Sequence, residues 1–168
     1  MAHEHEDTEH ALTLPVLVFG LPEVHRLQRE LEALEQYVRQ ETLRGGDKAV
    51  TLPRTSRLLE ALATDNQRDL LQASARKQLS VFLQQVVQQA PMVHISFAAD
   101  PSSAFTAKVV AWLRGNIHPQ ALLQLGLQPS IAAGCVVRTA NKTFDFSLRE
   151  RLKSQESALA TALQGAIK

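Results

Sequence analysis

The chain has 168 residues, of which 45% are apolar, and its 18 Lys and Arg residues nearly balance its 17 Asp and Glu residues. This composition supports a folded core and excludes wholesale disorder, while a formal charge of +1 gives no electrostatic basis for binding nucleic acid. The single cysteine excludes a disulfide framework and a multi-cysteine zinc site, and it fits a reducing compartment.

The first 20 residues divide into an acidic tail and an apolar arm. Residues 1–10 hold four acidic residues and three histidines, and we expect them to remain without packed structure. Their imidazoles and carboxylates suit a transition-metal ion, but nothing orders them, so only adventitious binding is expected. Residues 12–19 (LTLPVLVF) are apolar around Pro15, which predicts an extended arm that lies against this chain or a partner.

A long helix is predicted from Pro22 to about Arg44, where a glycine pair ends it. Its apolar residues are spaced alternately three and four apart and form a narrow heptad seam: Val24, Leu27, Leu31, Leu34 and Val38. Two interpretations remain open for this seam. It packs inside the protein, or it docks onto a partner helix.

Two further helices complete a helical segment over residues 21–90. The first is expected to open at Thr51 and Pro53, and the second to be capped by Asn66 and to run to about Gln89. The second helix has a broad apolar face, which predicts that it lies on a core.

The hydrophobic period changes after residue 91. Val93, Ile95 and Phe97 alternate with polar residues, which predicts a strand. A helix ending at Gly115 follows, and Trp112 is expected to anchor it in the core. Residues 121–127, 135–139 and 143–146 predict three more strands, the last two forming a hairpin.

The final element is expected to be a helix opened by a capping box of Ser147 and Glu150. The predicted fold class is therefore α/β (α+β). A disordered tail and arm (1–20) and a helical segment (21–90) precede a β-α-β-β-β-α domain (91–168) with a mixed sheet. The strand–helix–strand unit in this domain predicts a parallel pair.

Motifs for catalysis are absent from the sequence. There is no GxxxxGK[ST], GxGxxG, HExxH or GxSxG pattern. Cys135 and His94 are the only available thiol–imidazole pair, and such a pair needs contact and a third group that orients the base. We therefore expect no catalytic, cofactor-binding or metal-binding residues, and a protein that is not an enzyme.

Three sequence blocks in the C-terminal half resemble the signature of a known family. They are residues 128–131 (QPSI), 133–138 (AGCVVR) and 145–152 (DFSLRERL). In order and spacing they are similar to the C-terminal part of the delta subunit of bacterial F-type ATP synthases, whose mitochondrial relative is the oligomycin-sensitivity-conferring protein. The resemblance covers about residues 50–168. It fits a tight turn into a strand at Gly134, and a helix start set by Asp145 and Ser147.

The resemblance implies a non-catalytic subunit of a peripheral stalk, or stator. Such a subunit links b-type stalk helices to the catalytic head of the motor and associates peripherally with the inner face of the cell membrane. The family normally begins with a globular helical domain, where this chain has the tail, the arm and one long helix. The candidate contact residues are those of the seam together with Leu159 and Leu163 of the last helix.

Weaker similarities point to related roles. The same C-terminal plan resembles the E subunit of V/A-type ATPases and the FliH/YscL-type stator proteins of flagellar and type III secretion systems. A small enzyme that uses Cys135 and His94 is the alternative from a different class. Because no apolar run reaches the roughly 18–20 residues of a membrane span and the start is acidic, the sequence predicts a cytoplasmic protein.

Overall fold

The computed structural model describes residues 11–45, 51–131, 133–148 and 155. The helices are α1 (Leu21–Gly45), α2 (Arg57–Asp65), α3 (Ala73–Gln89) and α4 (Ser103–Asn116). The strands are β1 (Met92–Phe97), β2 (Leu122–Leu127), β3 (Cys135–Arg138) and β4 (Thr143–Asp145), with a short 3-10 turn at Pro129–Ile131. A helical segment thus precedes an α/β unit, and the predicted fold class is confirmed. Of the predicted last helix, the structure describes only residues 147, 148 and 155.

The seam of α1 is buried inside this chain. Val24 and Leu27 are 0% exposed, Leu31 and Leu34 are buried, and Val38 is partly buried against the same cluster. That cluster also contains seven buried side chains from α2 and α3: Leu59, Leu62, Ala63, Leu79, Phe82, Leu83 and Val86. The structure therefore shows internal packing, and it corrects the hypothesis that the seam is a partner surface. A narrow stripe is sufficient here because two helices of the same chain cover it.

The starts of α2 and α3 differ from the sequence-based expectation. Ser56, not Thr51, caps α2, and its hydroxyl accepts a hydrogen bond from the Leu59 N–H at 3.3 Å. Asn66 does not open α3; it is the C-cap of α2, and α3 begins only at Ala73. Asn66 instead makes long-range contacts with Thr13. Its side-chain oxygen accepts a hydrogen bond from the Thr13 N–H at 2.7 Å, and its side-chain nitrogen donates one to the Thr13 carbonyl at 3.0 Å.

The sheet is mixed and has the order β2-β1-β3-β4. β1 and β2 are parallel, in register from Met92 beside Leu122 to Phe97 beside Leu127. β3 is antiparallel to β1, and β4 returns beside β3 as the predicted hairpin. α4 connects the two parallel strands, as a crossover must.

The two faces of the sheet contact different cores. Leu122 joins the helical cluster of α1–α3, while its neighbour Leu123 packs with Val110 and Leu113 of α4. Successive side chains of a strand point to opposite faces, so β2 separates the two clusters. Within the residues that the structure describes, no helix is both long and apolar enough to cross a membrane.

The arm before α1 lies against this chain. Leu14 and Val18 are buried in the helical cluster, and the Leu123 N–H at the outer edge of β2 donates to the Phe19 carbonyl at 2.8 Å. The arm therefore covers part of an otherwise open strand edge. Of the two alternatives for the arm, contact with the chain itself is the one observed.

Arg114 of α4 holds the arm in place. Its guanidinium donates hydrogen bonds to the carbonyls of Leu14 at 3.0 Å, Pro15 at 2.8 Å and Val18 at 2.5 Å. Burial lowers the pKa of Arg114 to about 10, because desolvation disfavours the charged form. The side chain still carries its charge at neutral pH.

Candidate partner-binding face

Helix α4 carries two apolar stripes, and only one of them is buried. The buried stripe is Thr106, Val110 and Leu113. The other runs along Phe105, Val109 and Trp112, of which Phe105 is exposed, Val109 is half-buried and Trp112 is 59% exposed. The expectation that Trp112 anchors the core is therefore wrong, because the helix turns the adjacent stripe toward the sheet.

The strand register shows that the side chains of Val137 and Phe144 in the β3–β4 hairpin point to the face of the sheet on which α4 packs. Ile95, which packs in the cluster with α4, is aligned with Val137 of β3, and Val137 is aligned with Phe144 of β4. Aligned residues of neighbouring strands point to the same side of a sheet. Val137 is half-buried and Phe144 is exposed, so α4 leaves this side of the sheet partly uncovered.

Two aromatic pairs lie on this side of the sheet. The rings of Phe144 and Phe146 are stacked, with centroids 6.3 Å apart and an interplanar angle of 13°, and Phe146 is 63% exposed. The rings of Phe97 and Phe105 meet edge to face at 5.8 Å and join the end of β1 to the start of α4. These contacts orient the rings, and Phe105, Phe144 and Phe146 stay exposed to solvent.

We give the name aromatic face to the exposed side chains of Phe105, Trp112, Phe144 and Phe146, together with the half-buried Val109. It combines one helix stripe with one hairpin. The sequence of α4 contains no acidic residue, and its Lys108 is exposed. Exposed apolar surface marks interaction sites where it is contiguous, and aromatic side chains dominate binding energy at such sites.

Backbone contacts around Gly134 hold Phe146 in position. Gly134 has a φ of +92°, and an added Cβ would collide with the Phe146 carbonyl oxygen. The Phe146 N–H donates to the Cys135 carbonyl at 2.9 Å. Asp145 Oδ1 accepts from the N–H of the buried Ser147 at 2.8 Å. The residues singled out by the family resemblance therefore shape the hairpin end of the aromatic face.

Several predicted site residues fall outside the described part of the chain. These are Glu150 of the capping box, Leu159 and Leu163 of the last helix, and the histidines and carboxylates of the tail. Among the described residues, no group of three or more His, Cys, Asp or Glu side chains is placed to hold a metal ion.

The structure does not bring Cys135 and His94 together. Cys135 is aligned with Phe97, and His94 with Arg138, so the thiol and the imidazole point to opposite faces of the sheet. Burial, and secondarily the charge of Asp145, raise the pKa of the Cys135 thiol. A raised pKa keeps the thiol protonated, which is the reverse of what an activated nucleophile requires.

Reasoning from the sequence missed the aromatic face. Two signals for it were present: two offset apolar stripes on α4, and two phenylalanines spaced two apart around Asp145. A residue spacing of two in a strand places both rings on one side. Which side of the sheet stays uncovered depends on the register between its strands, and the sequence of one short strand does not determine that register.

Comparison of this chain with protein-family models and with curated proteins finds no match.

Proposed function

We propose that this chain is a non-catalytic subunit of the peripheral stalk of a rotary F-type ATP synthase, similar in role to the delta subunit. In this role it links b-type stalk helices to the catalytic head and resists the torque of the rotor. Its location would be cytoplasmic, held at the inner face of the cell membrane through the complex. The assembly would couple proton transport to ATP synthesis, and this subunit would contribute no chemistry of its own.

The exposed aromatic face is the observation that carries the proposal. A stator must bind its partners through a durable apolar interface, and obligate interfaces of this kind bury on the order of 2,000 Å² or more. Phe105 and Trp112 on α4, and Phe144 and Phe146 at the hairpin, offer exposed aromatic side chains to a partner. An amphipathic stalk helix would place its own apolar stripe there.

The placement of the family signature also supports the proposal. Gly134 and Asp145 form the turns that present Phe146, so the residues that carry the resemblance act on the surface we assign to the partner. The seam of α1 is internal, so the partner is expected at the α/β unit instead.

The proposal is tested by introducing a negative charge on the aromatic face. Trp112→Glu and Phe146→Glu, made in the full chain in its native cells, should each abolish co-purification of b-type stalk subunits and the catalytic head. Loss of a central aromatic anchor costs about 2 kcal/mol or more, which corresponds to about 30-fold in affinity. Leu43→Glu is the matched control, because Leu43 is an exposed apolar residue far along α1, 81% exposed.

The identity of the captured proteins decides between the related alternatives. A flagellar or secretion ATPase in place of the catalytic head and stalk subunits would replace the proposal with the secretion-stator alternative. Unchanged assembly of both variants, with normal folding by circular dichroism, would refute a role for the aromatic face.

A further inference from the structure

Strand β2 is an outer strand of the sheet, and its second half presents backbone groups outward. The Leu123 N–H points away from β1, because it donates to the Phe19 carbonyl of the arm. The direction of the backbone groups alternates along a strand, so those of Leu125 and Leu127 also point outward. In the described part of the chain no segment continues along this edge beyond Phe19, which leaves two N–H and two carbonyl groups open.

The open part of β2 is uncharged and exposed on both of its faces. Gln124 is exposed on one face, and Leu125 and Leu127 are 42% and 55% exposed on the other. Edge strands usually carry a charge, a proline or a bulge that prevents a further strand from pairing. β2 carries none of these, whereas β4 at the opposite edge contains Asp145 and follows Lys142. This composition is typical of an edge that pairs with another strand.

The sequence of the open edge is a palindrome. Residues 124–128 read QLGLQ in both directions, and the extended pairing reaches the last of them, because the Gln128 N–H donates to the Phe97 carbonyl at 2.8 Å. In an antiparallel pair of two such strands centred on the glycine, each leucine faces a leucine and each glutamine faces a glutamine. Apolar side chains then meet on one face of the sheet and amides on the other. A twofold contact requires self-complementarity of this kind.

The same register satisfies every open backbone group. Outward-pointing residues form the hydrogen-bonded pairs of an antiparallel ladder, each with two N–H to carbonyl bonds. The two pairs of Leu125 with Leu127 therefore use all the open groups of both copies. Pro129 of the second copy comes opposite Leu123, whose N–H is already bonded to Phe19, and proline has no N–H that would lose a partner. The ladder thus ends where the arm begins.

We propose that this chain forms a twofold dimer in which β2 pairs antiparallel with β2 of a second copy, centred on Gly126. The two four-stranded sheets become one sheet of eight strands. β2 and β4 are opposite edges, so the dimer leaves the hairpin of the aromatic face open and does not depend on the stalk proposal. One short strand pair buries less than the roughly 1,200 Å² of standard interfaces, so we expect a dissociation constant of about 10–100 µM.

Sedimentation equilibrium of the full chain, from about 1 µM to 1 mM, tests the proposal with two matched double variants. In the proposed register, L125K with L127E places two Lys–Glu pairs across the axis, whereas L125K with L127K places two Lys–Lys pairs. Opposite charges favour pairing and like charges oppose it, so the first variant should dimerise at least about tenfold more tightly. Salt at about 1 M, where the Debye length is about 3 Å, should remove this difference.

The control variant is Val81→Lys, at an exposed apolar position of α3, and it should leave the dissociation constant of the wild type unchanged. A wild-type chain that remains monomeric up to about 1 mM would overturn the proposal. Equal association of the two double variants at low salt would overturn it as well. Gly126 is left intact throughout, because an added Cβ would lie 2.7 Å from His94 Nε2 of its own sheet.

Disulfide trapping in a Cys135→Ala background tests the register directly. Gln124 and Gln128 of opposite copies form non-hydrogen-bonded pairs, whose Cα atoms lie about 4.5 Å apart, within the range of a disulfide. Q124C with Q128C should therefore give a covalent dimer under mild oxidation. Q124C alone should not, because the two cysteines are four residues out of register, about 13 Å along the strands. Equal trapping of both variants, or no trapping of the double variant at about 1 mM, would contradict the proposed pairing.

Discussion

Arg114 and Val18 are 96 residues apart in the chain, and the guanidinium of the first donates a hydrogen bond to the backbone carbonyl of the second. The same side chain also bonds the Leu14 and Pro15 carbonyls, so one arginine fixes the whole curve of the arm. Arginine suits this role because its planar fork carries several donors and keeps its charge.

Replacing this arginine should destabilise the protein. Arg114→Met keeps the aliphatic stem but removes the hydrogen bonds that the guanidinium donates to four backbone carbonyls, so we expect a loss of about 2–3 kcal/mol in the free energy of unfolding. Urea denaturation measures the loss, and Arg138→Met, at an exposed position of β3, should change it by less than about 0.5 kcal/mol. Because the lowered pKa of Arg114 is still about 10, the loss should be equal at pH 6 and pH 8.

The buried seam of α1 predicts a large cavity effect. Leu27 is 0% exposed, so Leu27→Ala should cost about 2–5 kcal/mol through lost burial and an unfilled space. Thermal or urea unfolding of the purified chain measures this cost. Leu43→Ala on the same helix should change stability by less than about 0.5 kcal/mol, because Leu43 is exposed. Similar small effects at both positions would show that the seam is not part of the core.

Two glycines should respond to alanine with opposite signs. Gly134→Ala should destabilise by about 1–3 kcal/mol, since φ is +92° and the new Cβ meets the Phe146 carbonyl. Gly115→Ala in α4 should stabilise by up to about 1 kcal/mol, because nothing lies within 4 Å of the added Cβ. Denaturant titrations of both variants and the wild type measure the two signs together.

Cys135 should react slowly with thiol reagents. Burial and the charge of Asp145 raise its pKa, so little thiolate is present at pH 7.5. Asp145→Asn removes the charge and should accelerate alkylation by iodoacetamide, measured by mass spectrometry under native conditions. Asp100→Asn, at an exposed position, should leave the rate unchanged. Equal rates in all three proteins would mean that the charge of Asp145 does not affect the pKa of the Cys135 thiol.

The raised pKa of Cys135 also determines the direction in which the free energy of unfolding changes with pH. The unfolded chain has the lower thiol pKa and releases the proton first, so the thiol favours the unfolded state as pH rises. The contribution of Cys135 to stability is therefore complete below about pH 8.5 and declines above it. Urea titrations at pH 7 and pH 10 should show a smaller decline for Cys135→Ala than for the wild type.

Local sequence patterns predicted the helices and strands well where residues that are close in the sequence determine the structure. The alternation of Val93, Ile95 and Phe97 located β1, and the strand–helix–strand order predicted the parallel pair. The start of α3 was misplaced because Asn66 has the right chemistry for a cap, yet a long-range bond to Thr13 uses its amide. A contact across 53 residues is invisible to a local pattern.

The candidate site was harder to predict than the fold. A heptad seam looks the same whether it is covered by its own chain or by a partner, so α1 could not be assigned from spacing alone. Trp112 was misjudged because α4 offers two apolar stripes, and the sheet beneath selects one of them. Which ring faces water depends on how Phe144 aligns with Val137, a relationship set by the whole sheet.

The arm and β2 also determine how the protein unfolds. Val18 and Phe19 are consecutive yet pack into different hydrophobic clusters, and so do Leu122 and Leu123. Because these two pairs are joined by the bond from the Leu123 N–H to Phe19, neither cluster can come apart without uncovering the other. Helices and sheet should consequently melt in one cooperative transition, with a calorimetric enthalpy equal to the van't Hoff enthalpy.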